Sequence, residues 1–302
     1  MRKKALASAR FAIFIFSLSC CLSIVTADTE ADIQAGVQSL SYPVRIAFDP
    51  DKNLVVSDSR QKKVFVLDRD TLEITRGFPV DGRPLAVGCV SNRIIVGNET
   101  RNRVEVYKGN GRLLYYFDTP VQRPMDMAVD INRNCIFVVD GGQKAVIVFD
   151  LQGNLLLTIP GAPPDTGILT NPTAIAIDSV RKRVYVSDYG DQANRIYPRI
   201  QIFRYSGRHV STIAGKIGMF GSRFSRPQGL AVTGKGQVLM LDCFSAEIMM
   251  FDEASGALLK TFGEYGTAPG QMRLPLDMVY DPGSKRVFVT NNGAGRIEVL
   301  TK

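Results

Sequence analysis

The stretch PTAIAIDSVRKRVYVSD (172–188) contains the pattern that decides the fold. A proline opens an apolar strand, a polar turn follows, and a second strand ends in an aspartate. Short runs of β-branched and aromatic residues bounded by turn residues are typical of β-strands. Repeats of roughly this length indicate a propeller or a solenoid. The same unit begins six times, at Pro43, Pro84, Pro124, Pro172, Pro227 and Pro275.

In each unit a third strand follows the Asp or Asn, and a turn containing glycine leads to a fourth. One small antiparallel sheet cannot bury both of its apolar faces, whereas six sheets packed radially can. We therefore predict an all-β protein, a six-bladed β-propeller of four-stranded antiparallel blades. Small residues four places after each proline fit inner strands that converge near an axis: Ala47, Gly88, Ala128, Ala176, Ala231 and Val279.

The sixth unit has three predicted strands, so its fourth strand has to come from another part of the chain. Residues 33–40 show a weak apolar alternation at Ile33, Ala35 and Val37. We predict that this N-terminal strand closes the last blade, which would hide an open sheet edge.

The first 27 residues have the pattern of an export signal. Four basic residues precede an apolar run over residues 11–25, and small residues follow it. The run is short for a membrane span, which needs about 20 residues. We predict a signal peptide over residues 1–27 and one propeller domain over residues 28–302, located in the periplasm or outside the cell. Cys20 and Cys21 leave a lipid-anchored form open, although the residues before them match a lipobox poorly.

The charge of the chain is less basic than it first looks. The chain has 37 basic and 29 acidic residues, a formal net charge of +8. Residues 1–27 contain four of the basic residues and no acidic residue, so half of the excess belongs to the predicted signal. The small remainder gives little support to nucleic-acid binding.

Long connections are predicted on one face of the propeller. Strand polarity brings together the connections from strand two to strand three and from strand four to the next blade, which we call the upper face. Four long insertions fall there, at residues 161–171, 189–199, 215–225 and 263–273. Elaborated loops on a rigid scaffold are the usual layout of a binding site. The alternative is that the fold tolerates these long loops without their having a binding role.

Basic and aromatic residues make this face a candidate interface. Basic residues at the start of most third strands predict a positive rim that favours an anionic partner. In the insertion of the fourth unit we predict four binding residues, because Tyr and Arg are common interface anchors. They are Tyr189, Arg195, Tyr197 and Arg199. The alternative is a loop that folds over its own blade.

Three charged residues are predicted at the channel mouth, two places after the prolines. Arg45 and Asp277 belong to adjacent blades, and Asp126 faces Asp277 across the axis. One interpretation is a small polar or cation site, with calcium as its metal. The other is an Arg45–Asp277 ion pair with Asp126 in solvent.

A polar residue ends each second strand, and we predict that these six residues hold turns. At one strand spacing from the inner strand they are too far apart to share one calcium ion. Their side chains are instead expected to accept hydrogen bonds from the following loop. The six are Asp58, Asn98, Asp140, Asp188, Asp242 and Asn291.

Two stretches resemble NHL repeats, namely IAGKIGMFGSRFSRPQGLAV (213–232) and FGEYGTAPGQMRLP (262–275). The resemblance, to an exported bacterial type, covers residues 32–302 and implies a six-bladed propeller. The absence of Trp argues against WD40 and kelch blades. Some six-bladed relatives are enzymes, and the amidating lyases among them use His-rich metal sites. The single histidine here, His209, cannot supply a zinc centre by itself.

We therefore predict an exported, noncatalytic, monomeric propeller that binds a protein or another anionic macromolecule and needs no cofactor. The alternative is a hydrolase or lactonase that uses calcium at Asp126 and Asp277. RNA binding, known for NHL propellers fused to tripartite-motif ubiquitin ligases, is opposed by the export signal and the small net charge.

Overall fold

The chain forms six small antiparallel sheets that follow one another in sequence. The computed structural model describes residues 39–160, 168–215, 217–218, 221–222 and 224–301. A first strand begins at each of the six prolines that open the repeats. The predicted all-β, six-bladed propeller is confirmed.

Blades 1 to 3 have four strands each, paired in sequence order. Blade 1 contains β1 (Pro43–Phe48), β2 (Leu54–Asp58), β3 (Lys63–Leu67) and β4 (Ile74–Pro79). Blade 2 contains β5 (Pro84–Val90), β6 (Arg93–Asn98), β7 (Arg103–Lys108) and β8 (Leu113–Tyr116). Blade 3 contains β9 (Pro124–Asp130), β10 (Cys135–Asp140), β11 (Ala145–Asp150) and β12 (Leu155–Pro160).

Blades 4 and 5 repeat this arrangement, with a short hairpin between them. Blade 4 contains β13 (Pro172–Asp178), β14 (Arg183–Asp188), β15 (Arg199–Arg204) and β16 (His209–Ala214). The hairpin consists of β17 (Ile217–Gly218) and β18 (Gly221–Ser222). Blade 5 contains β19 (Pro227–Val232), β20 (Gln237–Asp242), β21 (Glu247–Asp252) and β22 (Leu258–Phe262).

Blade 6 has three strands within the described residues, β23 (Pro275–Asp281), β24 (Arg286–Asn291) and β25 (Arg296–Thr301). Most of its predicted fourth strand, residues 33–38, lies outside the described residues, so closure of this blade by the N-terminal strand stays a prediction. The only helices in the described part are 3-10 turns at Ile131–Arg133, Gln192–Asn194 and Asn292–Ala294. None of the described helices is long and apolar enough to cross a membrane.

The inner strands form a closed ring around a central channel. Each first strand contacts the first strands of the two neighbouring blades, and β1 contacts β23 as well as β5. The hydrophobic core consists of six clusters, one at each interface between adjacent blades. The predicted column of small residues lies at the axis, where all six members line one cavity. At Gly88 a Cβ atom would lie 2.9 Å from Cγ2 of Val129, so blades 2 and 3 approach too closely for a side chain.

Candidate functional site

Arg45 lies inside the channel and is only 2% exposed. Its guanidinium group donates hydrogen bonds to the carbonyl oxygens of Met125 at 2.9 Å, Gln228 at 2.8 Å and Leu276 at 3.0 Å. A further hydrogen bond goes to the carbonyl oxygen of Thr173. These acceptors belong to the first strands of blades 3, 5, 6 and 4. A side chain from blade 1 therefore connects five of the six blades.

Asp126 and Asp277 stand on either side of this guanidinium group. Oδ1 of Asp126 lies 3.8 Å from Nε of Arg45, and Oδ1 of Asp277 lies 3.6 Å from Nη1. The predicted Arg45–Asp277 ion pair is confirmed. The expectation that Asp126 would then lie in solvent is wrong, because Asp126 is 5% exposed and Asp277 is 3% exposed.

Backbone N–H groups hold both carboxylates in place. Asp126 accepts hydrogen bonds from the N–H groups of Met127 and Ile175, both at 2.9 Å. Asp277 accepts one from the N–H group of Ile46 at 3.0 Å. The Ile175 and Ile46 donors belong to the next blade around the ring. Each carboxylate therefore joins two adjacent blades, 3 to 4 and 6 to 1.

Burial raises the pKa of both carboxyl groups. The pKa of Asp126 rises through desolvation, and the Arg45 guanidinium group partly offsets this rise. The pKa of Asp277 rises well above its ordinary value through desolvation and through the charge of Asp126. A carboxyl group whose pKa is raised by folding binds its proton more tightly in the folded state. The pair therefore lowers the free energy of unfolding as pH rises from the unfolded value of about 3.8 through the raised pKa.

The Arg45 cluster, defined as Arg45, Asp126 and Asp277, divides the channel into two cavities. Arg45 lines an upper cavity of about 150 Å³. The two carboxylates line a lower cavity of about 460 Å³, which we call the lower funnel. It reaches the lower face, where the connections from strand one to strand two lie. The sequence placed these carboxylates at the channel mouth, and in the structure they are buried inside the channel, below the long Arg45 side chain.

The oxygen atoms around Arg45 resemble a cation site. Four carbonyl oxygens and two carboxylates surround the guanidinium group, and hard cations such as Ca²⁺ prefer the same oxygen ligands. Here the Arg45 guanidinium group is the cation that these oxygen atoms surround. Among the described residues, no three His, Cys, Asp or Glu side chains are placed to share a metal ion. A calcium site at Asp126 and Asp277 stays a prediction.

The six polar residues that end the second strands are buried, and five of them accept a hydrogen bond from the following loop, as predicted. For Asn291 the prediction is wrong, because its side chain makes no such contact and accepts instead from the N–H group of Arg273 in the segment that enters the blade. Asp58 accepts from the N–H group of Gln61 in the following loop, and from those of Ser41 and Tyr42 in the segment that enters the blade. The other three aspartates make the same two kinds of contact. These side chains therefore fix both sets of connections on the upper face.

The four predicted binding residues of the 189–199 loop have different environments. Arg199 forms an ion pair of 2.9 Å with buried Asp188 and also donates a hydrogen bond to Oγ1 of Thr170. It is therefore bound to its own blade. Tyr189 is half-buried, whereas Arg195 and Tyr197 are exposed. These three remain available on the upper face.

Two further residues extend this group. The guanidinium group of Arg226 lies 5.2 Å from the ring centre of Phe244 and 5.9 Å from that of Tyr189. Phe244 is 55% exposed. We call these residues the upper patch: Tyr189, Arg195, Tyr197, Arg226 and Phe244.

Sequence reasoning missed Arg226 and Phe244, although the repeat register could have found them. Arg226 directly precedes the proline of unit five, and Phe244 lies two places after Asp242. Both positions fall on the upper face in every blade. A search restricted to long insertions passes over them, because Phe244 belongs to a short connection.

Exposed basic side chains are spread over the upper face, but three of the basic residues that begin third strands, Arg103, Arg199 and Arg296, are ion-paired with buried carboxylates. Glu99 pairs with two of the exposed ones, Arg83 at 2.8 Å and Arg123 at 3.2 Å. Among the described residues of these connections, basic side chains outnumber acidic ones. The exposed basic ones are Arg60, Lys62, Arg83, Arg101, Arg123, Lys144, Arg195, Arg226 and Arg273.

The ring of blades and the axial channel define a six-bladed β-propeller, and a comparison with solved structures agrees. A chain of hydrazine synthase from Kuenenia stuttgartiensis is similar, with a TM-score of 0.64 and 14% sequence identity over 88% of this chain and 97% of that chain. At this identity the similarity shows the fold alone. No protein-family model matches the chain, and no curated protein matches it.

Proposed function

We propose that this protein is an exported, noncatalytic propeller of the NHL type that binds a protein partner through its upper face. The observation that carries the proposal is the upper patch, in which Arg226 lies against Tyr189 and exposed Phe244. Aromatic and Arg side chains that a rigid scaffold holds in place dominate the binding energy of protein interfaces. The exposed Phe244 ring with the Arg226 guanidinium group beside it has the composition of a protein-binding surface.

The charge of the upper face indicates the chemistry of that partner. Its exposed basic side chains lie on the connections of several blades, so an acidic protein surface would be attracted and oriented before contact. The aromatic rings would then cover apolar side chains at the centre of the interface. We therefore expect a partner with an apolar centre and an acidic margin.

The channel supports binding over catalysis. The N–H groups of Arg45 donate to four carbonyl oxygens, and backbone N–H groups hold the carboxylates of Asp126 and Asp277. These contacts join blades to one another. A nucleophilic site would need a side chain paired with a neighbouring base, and the Arg45 cluster contains no such pair.

The test places a photoactivated cross-linking residue at position 244 in the full chain and, as a matched control, at position 116. Tyr116 is an exposed aromatic residue on the outer strand of blade 2. We expect one partner to cross-link from position 244 and not from position 116, and Arg226→Ala to weaken its binding about tenfold or more. Equal cross-linking from both positions, or binding unchanged by Arg226→Ala, contradicts the proposal.

The calcium-dependent alternative has a separate test. A melting temperature that rises with added calcium, and no longer does so in Asp126→Ala, would support a metal-dependent hydrolase or lactonase. An unchanged melting temperature, together with a partner cross-linked at the upper patch, supports binding.

A further inference from the structure

The lower funnel has the size and lining of a small-molecule site. Its volume of about 460 Å³ lies in the range of about 300–1,000 Å³ that such sites occupy. Its wall is formed largely by apolar side chains, including Ile175, Leu230 and Met278. Asp126 and Asp277 are the polar groups at its closed end. This site lies on the opposite face from the upper patch and does not depend on the function proposed there.

The closed end of the funnel carries more negative than positive charge. Two carboxylates face one guanidinium group at 3.6 and 3.8 Å, and the N–H groups of that guanidinium are directed to carbonyl oxygens. Arg45 is thus shared between two anions and donates a hydrogen bond to neither. When both carboxyl groups are ionised, one negative charge is in excess, and the charge of Asp126 is one cause of the raised pKa of Asp277.

The remaining ionisable side chains of the funnel do not neutralise this charge. Within the described residues that line it they are Lys52, Cys89 and Tyr280. The Lys52 ammonium group lies 5.1 Å from the ring centre of Phe48 and is exposed at the open end. Burial raises the pKa of the Cys89 thiol, which keeps that group neutral.

We propose that the lower funnel binds an organic ammonium ion with an apolar body, with the ammonium group directed at Asp126 and Asp277. An ammonium group brings the missing positive charge and up to three hydrogen-bond donors. A carboxylate can accept about four hydrogen bonds, so both retain free acceptor capacity after their backbone contacts. The apolar body would replace water along the Ile, Leu and Met side chains.

Competing ligand classes fit this lining less well. An organic anion would meet the two carboxylates at the closed end. A Ca²⁺ or Mg²⁺ ion needs six or more oxygen ligands, and the apolar wall provides few. Desolvation raises the pKa of both carboxyl groups and the charge of Asp126 adds to the rise at Asp277, and a bound ammonium ion would lower both pKa values.

The test compares three probes of one shape by isothermal titration calorimetry on the full chain at neutral pH. They are 4-phenylbutylamine, 4-phenylbutanol and 4-phenylbutanoate. We expect the amine to bind about tenfold more tightly than the alcohol, and the carboxylate to bind most weakly. Asp126→Asn and Asp277→Asn should each weaken amine binding about tenfold and leave alcohol binding unchanged.

Two further variants control for folding and for the place of binding. Ile131→Trp narrows the open end of the funnel at an exposed position and should weaken binding of both amine and alcohol while the melting temperature is kept. Tyr116→Ala, on the outer strand of blade 2, lies outside both proposed sites and should leave binding of the amine and the alcohol unchanged. The proposal is overturned if folded wild-type protein does not bind the amine, if the three probes bind equally, or if amine binding is unchanged by both Asp277→Asn and Ile131→Trp.

Discussion

At the scale of single residues, the Arg45 side chain alone joins its blade to four others at the channel axis. It supplies hydrogen-bond donors to carbonyl oxygens of four blades and a counter-ion to two buried carboxylates. Inner strands end their pairing at the channel, so carbonyl groups that point to the axis need a donor from elsewhere. A guanidinium group is suited to this place because its five N–H groups are planar and stay charged.

The first prediction concerns removal of this cation. Arg45→Met keeps much of the volume but leaves two buried carboxylates without a counter-ion, so the free energy of unfolding should fall by about 3–5 kcal/mol. Urea unfolding measures the change. Arg45→Lys should lose less, because it keeps the charge but cannot reach all four carbonyl groups.

A compensated variant separates charge from hydrogen bonding. Adding Asp126→Asn and Asp277→Asn to Arg45→Met removes the uncompensated charge and should recover part of the lost stability. A single Arg45→Met variant within about 1 kcal/mol of wild type would show that the cluster is not the axial support described above.

Part of this cluster could be predicted from the sequence. The repeat register places Arg45 and Asp277 on adjacent blades, and their ion pair follows from that adjacency. The burial of Asp126 does not follow, because no residue pattern records that carbonyl groups of several blades converge on one point. The upper patch shows the same limit, since Phe244 is found only when each position is compared across all blades.

At the scale of the element, the residue that ends the second strand of each blade matches the hydrogen-bonding groups of the loop that enters the blade. Where that loop presents two N–H groups, the residue is an aspartate, which only accepts. In blades 2 and 6 the loop presents a carbonyl group, and the residue is an asparagine that donates to it. The sequence predicts the turn role, but the polarity of the loop decides between Asp and Asn.

In blades 2 and 6, where an asparagine ends the second strand, a carboxylate lies on the neighbouring third strand instead. Asn98 donates to Glu105 on the neighbouring β7, and Asn291 donates to Glu298 on β25. Blade 4 has Gln201 at the corresponding place, two residues into its third strand, and carries its carboxylate at Asp188. In blades 2, 4 and 6 one of the two positions, the end of the second strand or the third residue of the third strand, therefore holds a carboxylate and the other holds an amide.

The second prediction tests this matching of donors and acceptors. Asn98→Asp would direct a carboxylate at the carbonyl oxygen of Asp81 and at the Glu105 carboxylate, which the amide now contacts at 3.0 and 3.1 Å. We expect the free energy of unfolding to fall by about 3 kcal/mol, measured by urea unfolding.

Its control uses the combination found in blade 4. Adding Glu105→Gln to Asn98→Asp removes the repulsion between carboxylates and supplies a donor, so part of the loss should return. The lost contact to Asp81 remains, and full recovery is not expected. If the double variant is no more stable than the single one, the proposed exchange between these positions is wrong.

At the scale of the whole molecule, stability depends on a ring in which each blade covers its neighbour. The cluster between blades 6 and 1 contains Ile46, Phe65 and Phe288, so the first and last blades share a core as the others do. Side chains also cross this junction, as where Oγ1 of Thr290 donates to the carbonyl oxygen of Val44 at 3.2 Å. The sequence predicts the ring because six equal units each leave two apolar faces to bury.

The last prediction concerns the outer edge of blade 6. Within the described residues no strand pairs with the outer edge of β25, and an unpaired edge of this kind invites association. Leu40 packs against the cluster between blades 6 and 1. At Gly295, directly before β25, a Cβ atom would lie 3.1 Å from the carbonyl oxygen of Leu40. We therefore predict that the residues before Ser39, which lie outside the described part, pair with β25.

A chain that begins at Ser39 keeps every described contact and lacks only the predicted closing strand. Compared with a chain that begins at Asp28, its melting temperature should fall by about 5–10 °C, because several backbone hydrogen bonds are lost. Its free edge should also promote concentration-dependent association, which light scattering would detect. A chain that begins at Ile33 keeps the whole alternating stretch and should melt with the longer chain. If all three chains melt together, residues 33–38 do not close the ring.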